Sequence, residues 1–224
     1  MSFIYADWGR IAYADALKRQ TEAFEALLQA KRTGQKGINR LFFCEHLPVL
    51  TIGKSGKDSN LLVPETLLAD RGISLYRIGR GGDITYHGPG QITGYPIFDL
   101  ECWGMGLKHY VRTLEEITIR FLALYGIKAG RLEGAAGVWL DAQTPGKARK
   151  ICAIGIKSSR YVTMHGFALN IGTDISCFSL INPCGFTDRG VTSLEMELGA
   201  PQDFGLAKRR LLDLFTEAFP EAGT

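Results

Sequence analysis

One segment of this chain gathers residues able to do chemistry: Arg80-Gly81-Gly82-Asp83-Ile84-Thr85-Tyr86-His87-Gly88-Pro89-Gly90-Gln91-Ile92-Thr93-Gly94-Tyr95. Five glycines and one proline surround an arginine, a histidine and a glutamine. Glycine tolerates positive φ and lets backbone come close to a ligand. Apolar, β-branched runs flank the segment at 73–78 and 92–97. The pattern predicts a ligand-cradling loop set between two strands. The plain alternative is a glycine-rich hairpin without a role. The spacing matches neither GxGxxG nor GxxxxGK(S/T), and a strand is expected after it rather than a helix. Dinucleotide and P-loop readings are therefore weak.

A second group lies further along. Lys150 opens the apolar run Ile151-Cys152-Ala153-Ile154-Gly155-Ile156, then come His165-Gly166-Phe167-Ala168-Leu169-Asn170 and Asn182-Pro183-Cys184-Gly185-Phe186. A cysteine between proline and glycine is expected on a tight, exposed turn, whereas structural cysteines more often sit among apolar neighbours. Cys184 is thus the nucleophile candidate among five cysteines. The thiolate is the reactive form, and an ordinary thiol pKa near ~8.5 calls for a nearby base or cation. His87, His165, Lys150 and Lys157 are the candidates. A Cys–His pair would suggest a protease or another acyl transferase. A lysine in an apolar pocket loses some of its preference for the ammonium form and can accept the thiol proton. Lys157 follows Lys150 at odd spacing, so a regular strand would point the two to opposite faces. His165 has a plain reading as a packed polar residue, and Lys150 as a solvated strand-end lysine. The residue types leave the base open.

The elements that must position these groups follow from periodicity. A helix is predicted over 11–30, with Tyr13, Leu17, Phe24 and Leu28 inward, Lys31 and Arg32 at its negative end and Gly34 as its stop. Strands are predicted at 41–44 and 49–52, joined by a turn around Pro48, and Pro64 fits the first turn of a short helix. A helix over 107–125 turns Tyr110, Val111, Leu114, Ile117, Phe121 and Tyr125 inward. Short strands fill 130–171, and a hairpin loop over 141–147 joins those at 137–140 and 150–156. A last helix over 206–219 buries Ala207, Leu211, Leu214, Phe215 and Ala218. Helices and strands mix without βαβ alternation. The expected fold is therefore α/β of the α+β kind, a mixed sheet with packed helices, in one catalytic domain over 1–224.

Composition narrows the function classes. Of 224 residues, 46% are hydrophobic, enough for a substantial core. A net charge of +3 is too small to argue for nucleic acid but suits an acidic protein partner. The basic clusters at 31–32, 147–150 and 208–210 read as helix ends or solvated surface. The cysteines are irregularly spaced without CxxC, so neither a zinc site nor a disulfide framework is expected. The first residues lack a signal-peptide pattern, and no apolar run approaches ~18 residues. A reducing cytoplasm and no membrane attachment are the expectation.

These residues together resemble the lipoyl (octanoyl) transferases. The matching pieces are Glu45 to Gly53, Arg80 to Gln91 with Tyr95-Pro96, Gly137-Val138-Trp139, Lys150 to Gly155, His165 to Asn170, and Pro183-Cys184-Gly185 with Val191 to Leu194. They span most of the chain in family order, and the RGGDxTYHGPGQ block is highly specific. The resemblance implies a fold like the biotin and lipoate protein ligases. It implies that Cys184 carries an acyl thioester and that Lys150, not a histidine, tunes it and shuttles protons. It makes Arg80, Gly81, Gly82, Asp83, Ile84, Thr85, Tyr86 and His87 substrate-pocket residues, with Ala153, Ile154, Gly155, Gly166, Phe167 and Ala168. It implies octanoyl-acyl carrier protein as donor. The implied acceptors are lipoyl domains of 2-oxoacid dehydrogenase complexes and the glycine cleavage H protein. No metal, no cofactor and a monomer are expected. The rivals are an ATP-dependent lipoate or biotin ligase, which needs no nucleophilic cysteine, and a non-catalytic acyl-binding module, which needs neither Lys150 nor Cys184.

Overall fold

The computed structural model of the chain describes residues 2–182 and 190–221. Helix α1 (Tyr13–Arg32) forms on the predicted stripe, burying Tyr13, Ala16, Gln20, Ala23, Phe24, Leu27 and Leu28. Lys31 and Arg32 occupy its last turn, and Gly34 leaves it at φ +68°. It starts two residues later than expected because strand β1 (Ile4–Ile11) precedes it. β1 is an edge strand pairing in parallel with β2 (Arg40–His46). Its exposure does not alternate cleanly, so periodicity could not reveal it.

The strands at 40–46 and 49–52 exist, but they are not a hairpin. β2 belongs to an eight-stranded sheet, and β3 (Val49–Ile52) is the centre of a separate three-stranded one. In the smaller sheet β3 pairs in parallel with β4 (Ser74–Arg77) and antiparallel with β5 (Ile84–His87). β5 lies inside the segment expected to be loop. Pro64 stands just before helix α2 (Glu65–Asp70) rather than in its first turn.

The larger sheet runs β1-β2-β6-β10-β9-β8-β7, with β6 at Gln91–Ile97, β7 at Gly130–Leu132, β8 at Ala135–Leu140, β9 at Arg149–Ser159 and β10 at Val162–Asn170. β11 (Gly190–Val191) pairs with β9. The expected β8–β9 hairpin is present. Strand alternation divides β2: Phe43 faces one side and Phe42 the other. On Phe43's side, helices α3 (Leu107–Ala123) and α5 (Phe204–Ala218) supply Tyr110, Ile117, Phe121, Leu211 and Phe215 to an aromatic-rich core. On Phe42's side, α1 packs Ala16, Phe24, Leu27 and Leu28 against Cys44, Tyr95 and Met164. Helix α4 (Leu194–Leu198) follows β11. No described helix is long and apolar enough to cross a membrane. The sequence expectation of a mixed sheet with packed helices holds.

Candidate active site

A cavity of about 600 Å³ lies where the small sheet, the glycine-rich tract and the β9–β10 face meet, with Tyr13 of α1 also on its wall. Its two walls differ in character. The first is the Arg80–His87 tract. Arg80 is buried; its guanidinium donates to the Thr51 carbonyl at 2.7 Å, to Thr51 Oγ1 at 2.9 Å and to the Gly81 carbonyl at 3.0 Å. The tract bridges both sheets: Lys54 N–H donates to the Arg80 carbonyl, and Gly81 N–H donates to the Ile156 carbonyl of β9 at 2.8 Å. Gly82 has φ +85°, which disfavours any side chain there. Asp83 accepts from Asn60 Nδ2 at 2.6 Å and from the Ile84 N–H at 2.7 Å.

Of the residues expected in this wall, Arg80, Gly82, Asp83, Ile84, Thr85 and His87 line the cavity; Gly81 and Tyr86 do not. Gly81 is turned to β9 by its N–H. Tyr86 points away because β5 is a strand, and its ring joins the small-sheet core, 5.6 Å from the Phe178 ring.

The second wall is β9 and β10. Ala153, Ile154, Gly155, Gly166, Phe167 and Ala168 all line the cavity. Gly155 is required by packing: a Cβ there would stand 2.7 Å from the Gly81 carbonyl oxygen. Lys150 also opens onto the cavity. Its backbone is flanked on both edges, by Trp139 of β8 and Val191 of β11. Its Nζ stands 4.6 Å from the centroid of the buried Trp139 ring, a cation–π contact.

Lys157 does not take the opposite face. The β8 register steps from Trp139↔Lys150 to Val138↔Cys152, so Ile151 is an extra residue in β9. Such a bulge breaks alternation. Ile151 and Cys152 both enter the α3–α5 core, whereas Gly155 abuts the Arg80 tract and Lys157 reaches the Phe24 ring of α1. The bulge thus returns Lys157 to the side of Lys150. Lys157 is not on the cavity wall.

His87 and His165 both line the cavity. Burial holds each well below the ordinary imidazole range, at about 3, with repulsion from nearby groups adding to it. Rings so biased are poor proton acceptors near neutral pH. Burial likewise raises the thiols of Cys44 and Cys177, and pushes Cys152, beneath the sheet against Thr118, up to about 12. The expected nucleophile, Cys184, lies outside the described residues. Among the described residues, no group of three or more His, Cys, Asp or Glu side chains is placed to hold a metal ion.

Sequence reasoning assigns no pocket role to Tyr13, nor to Gln91, Thr93 and Asn170 within the candidate segments, yet all four line the cavity. Tyr13 fits the apolar stripe of its helix, and nothing in the sequence separates a pocket tyrosine from a core one. Gln91 and Asn170 did carry a signal. A polar side chain within an apolar strand must find partners when buried, and both are almost fully buried.

The chain matches the lipoyl protein ligase A/B catalytic domain over residues 15–216. It is 73% identical over 218 residues to an octanoyltransferase of Parabacteroides distasonis, covering 97% of this chain and 99% of that one. It is 57% identical over 215 residues to an octanoyltransferase of Porphyromonas gingivalis, of which it spans 44%. Its fold is also similar to a bipartite lipoate protein ligase of Thermoplasma acidophilum, with TM-score 0.69 and 18% identity over 97% of this chain and 84% of that one. The match over residues 15–216 and the 73% identity along nearly the whole length place this chain in the lipoyl protein ligase A/B family, among the octanoyltransferases.

Proposed function

We propose that this chain moves an octanoyl group from octanoyl-acyl carrier protein to a lysine of a lipoyl domain by a two-step transfer through Cys184. The observation that carries the reading is the cavity wall. Lys150 opens onto the same space as Ala135, Ala153, Ile154, Phe167 and Ala168, an apolar surface with an amine beside it. Such a space suits an alkyl chain, with each buried methylene contributing ~0.8 kcal/mol. The 73% identical octanoyltransferase supports the same reaction.

In the first step the Cys184 thiolate attacks the thioester carbonyl. A new S–C bond forms, the carrier's S–C bond breaks, and the phosphopantetheine thiolate takes the proton held by Lys150. In the second step the target ε-amine attacks the Cys184 thioester. The amide C–N bond forms, the S–C bond breaks, and Lys150 accepts the amine's proton, restoring the starting pair. Backbone N–H groups are the natural oxyanion donors. A thioester is higher in free energy than an amide, so the transfer needs neither ATP nor a cofactor. The acceptors are the lipoyl domains of 2-oxoacid dehydrogenase complexes and the glycine cleavage H protein. The reaction fits a cytoplasmic monomer acting through one catalytic domain.

Intact mass spectrometry after incubation with octanoyl-carrier protein tests this. An octanoyl adduct on the wild-type chain, mapped to Cys184 and absent from Cys184→Ala, is the expected result. No adduct, together with pyrophosphate release dependent on ATP and a free acid, would replace this reading with an adenylating ligase.

A further inference from the structure

A line of buried polar side chains crosses from the glycine-rich wall to the strand that anchors Lys150. Arg80 donates to Thr51 Oγ1 at 2.9 Å, and Thr51 Oγ1 lies 3.3 Å from His87 Nε2. His87 Nδ1 lies 2.8 Å from Gln91 Oε1, and Gln91 Nε2 donates to Asn170 Oδ1 at 2.9 Å. Asn170 Nδ2 donates to the Thr192 carbonyl at 3.0 Å. Thr192 N–H in turn donates to the Lys150 carbonyl at 3.0 Å. Arg80, Thr51, His87, Gln91, Asn170 and Thr192 are all buried.

Fixed donors and fixed acceptors at the two ends constrain the directions of these bonds. A guanidinium only donates, so Thr51 Oγ1 accepts from Arg80 and keeps its own proton available for His87 Nε2. From the far end, a carbonyl only accepts. Asn170 must give its amide N–H to Thr192, and Gln91 gives its own both to Asn170 and to the Tyr86 carbonyl at 3.2 Å. Gln91 Oε1 is then left to accept from His87. A neutral His87 therefore carries its proton on Nδ1, and its Nε2 accepts from the Thr51 hydroxyl. Donors all point one way, the arrangement in which successive hydrogen bonds polarise and strengthen one another.

We infer that Arg80, Thr51, His87, Gln91 and Asn170 form a one-directional positioning chain that sets the Lys150 strand against the glycine-rich wall. The anchor is stiff at its far end as well. Thr192 Oγ1 donates to Glu197 at 2.6 Å, and Glu197 takes a two-pronged contact from Arg149, the neighbour of Lys150, at 2.6 Å for each prong. His87 is in this scheme a fixed strut and a positioning residue, not an acid or a base. A role in turnover rests on the acyl-transfer reading; the tautomer does not.

Thr51→Val tests the chain, because Thr51 is fully buried and does not line the cavity. The expected result is a fall in kcat of about tenfold with KM held within about twofold, and recovery in Thr51→Ser. ¹⁵N spectra of the histidine rings should show His87 neutral with its proton on Nδ1 in the wild type. Wild-type kcat in folded Thr51→Val, or a His87 proton on Nε2, would overturn the inference. Should Thr51→Val not fold, Gln91→Glu carries the same kcat prediction, since it keeps its shape and its contact to His87 but offers Asn170 no donor. Absence of octanoyl transfer by the wild type would sink the proposed function instead, leaving the tautomer result standing.

Discussion

The two faces of the large sheet are built from the same strands and do opposite things. Towards α3 and α5, β9 and β10 pair Cys152 with Leu169 and Ile154 with Phe167. Phe167 stacks on Phe215 of α5 at 5.5 Å, and Phe215 also meets Phe43 edge-on at 6.0 Å. One position along, the same strands pair Ala153 with Ala168 and Gly155 with Gly166. There the opposing layer meets small side chains and a cavity remains. Burying a large apolar side chain contributes roughly 1.5–3 kcal/mol, so a face of alanine and glycine gives up stabilisation that its other side collects. Cavity and core thus divide largely by alternation, with Ile154 and Phe167 packed into the core yet also bordering the cavity, and each change below loads one side.

The largest effect is expected from Lys150 on the open face. On the proposed mechanism, Lys150→Ala should slow octanoyl transfer by about 10²–10⁴-fold, the usual contribution of a positioned acid–base group. The melting temperature should change little. Lys150→Arg should not restore transfer, because guanidinium does not give up a proton near neutral pH. Wild-type turnover in either variant would remove Lys150 from the chemistry.

Phe215→Ala loads the closed face. It should cost about 3–5 kcal/mol in denaturant unfolding, as large-to-small core changes do. KM for the donor measured below the transition should stay unchanged. A shifted KM would mean that the two faces are mechanically coupled.

Acid should destabilise the fold through three buried histidines. His46, His87 and His165 are held by burial at about 4, 3 and 3, against an ordinary 6.5. Between those values the unfolded chain binds more protons than the folded one. Stability is therefore full above about pH 6.5 and falls as the pH drops towards 4, on the order of 1 kcal/mol per pH unit for each histidine. A melting temperature flat between pH 7 and 5 would contradict the burial of these rings.

Filling the cavity should sharpen its assignment. Ala168→Leu places a larger side chain on the wall of the space assigned to the acyl chain. Octanoyl transfer should fall by about 10-fold or more while shorter acyl groups are retained, since one methylene of misfit is worth ~1–3 kcal/mol. Equal losses for all chain lengths would place the acyl group elsewhere. The smallest effect is expected from Lys57, exposed and on the cavity wall. Lys57→Glu should raise KM for the acidic carrier protein several-fold and flatten its dependence on salt. An unchanged salt profile would exclude docking at this edge.

Much of this molecule was legible before folding. The stripes of α1, α3 and α5, the β8–β9 hairpin and the glycine-rich tract are local patterns, set by propensity and spacing within a few residues. The sequence motifs also singled out Lys150 and about half of the residues on the cavity wall. What lay beyond reach depends on partners distant in the chain. That 84–87 is a strand depends on β3, and that β2 and β3 part into different sheets depends on which strands lie beside each. The face taken by Lys157 turned on one bulged residue, Ile151, invisible to a count of alternating positions. Tyr13 reads as core until the small sheet leaves room beside it. The tautomer of His87 is set by Thr51 and Gln91, which only the docking of two sheets brings to the ring. Composition and periodicity determine which surfaces are apolar; which surfaces meet, and where they fail to fill space, is decided by tertiary packing, because that choice minimises exposed apolar area over the whole chain at once.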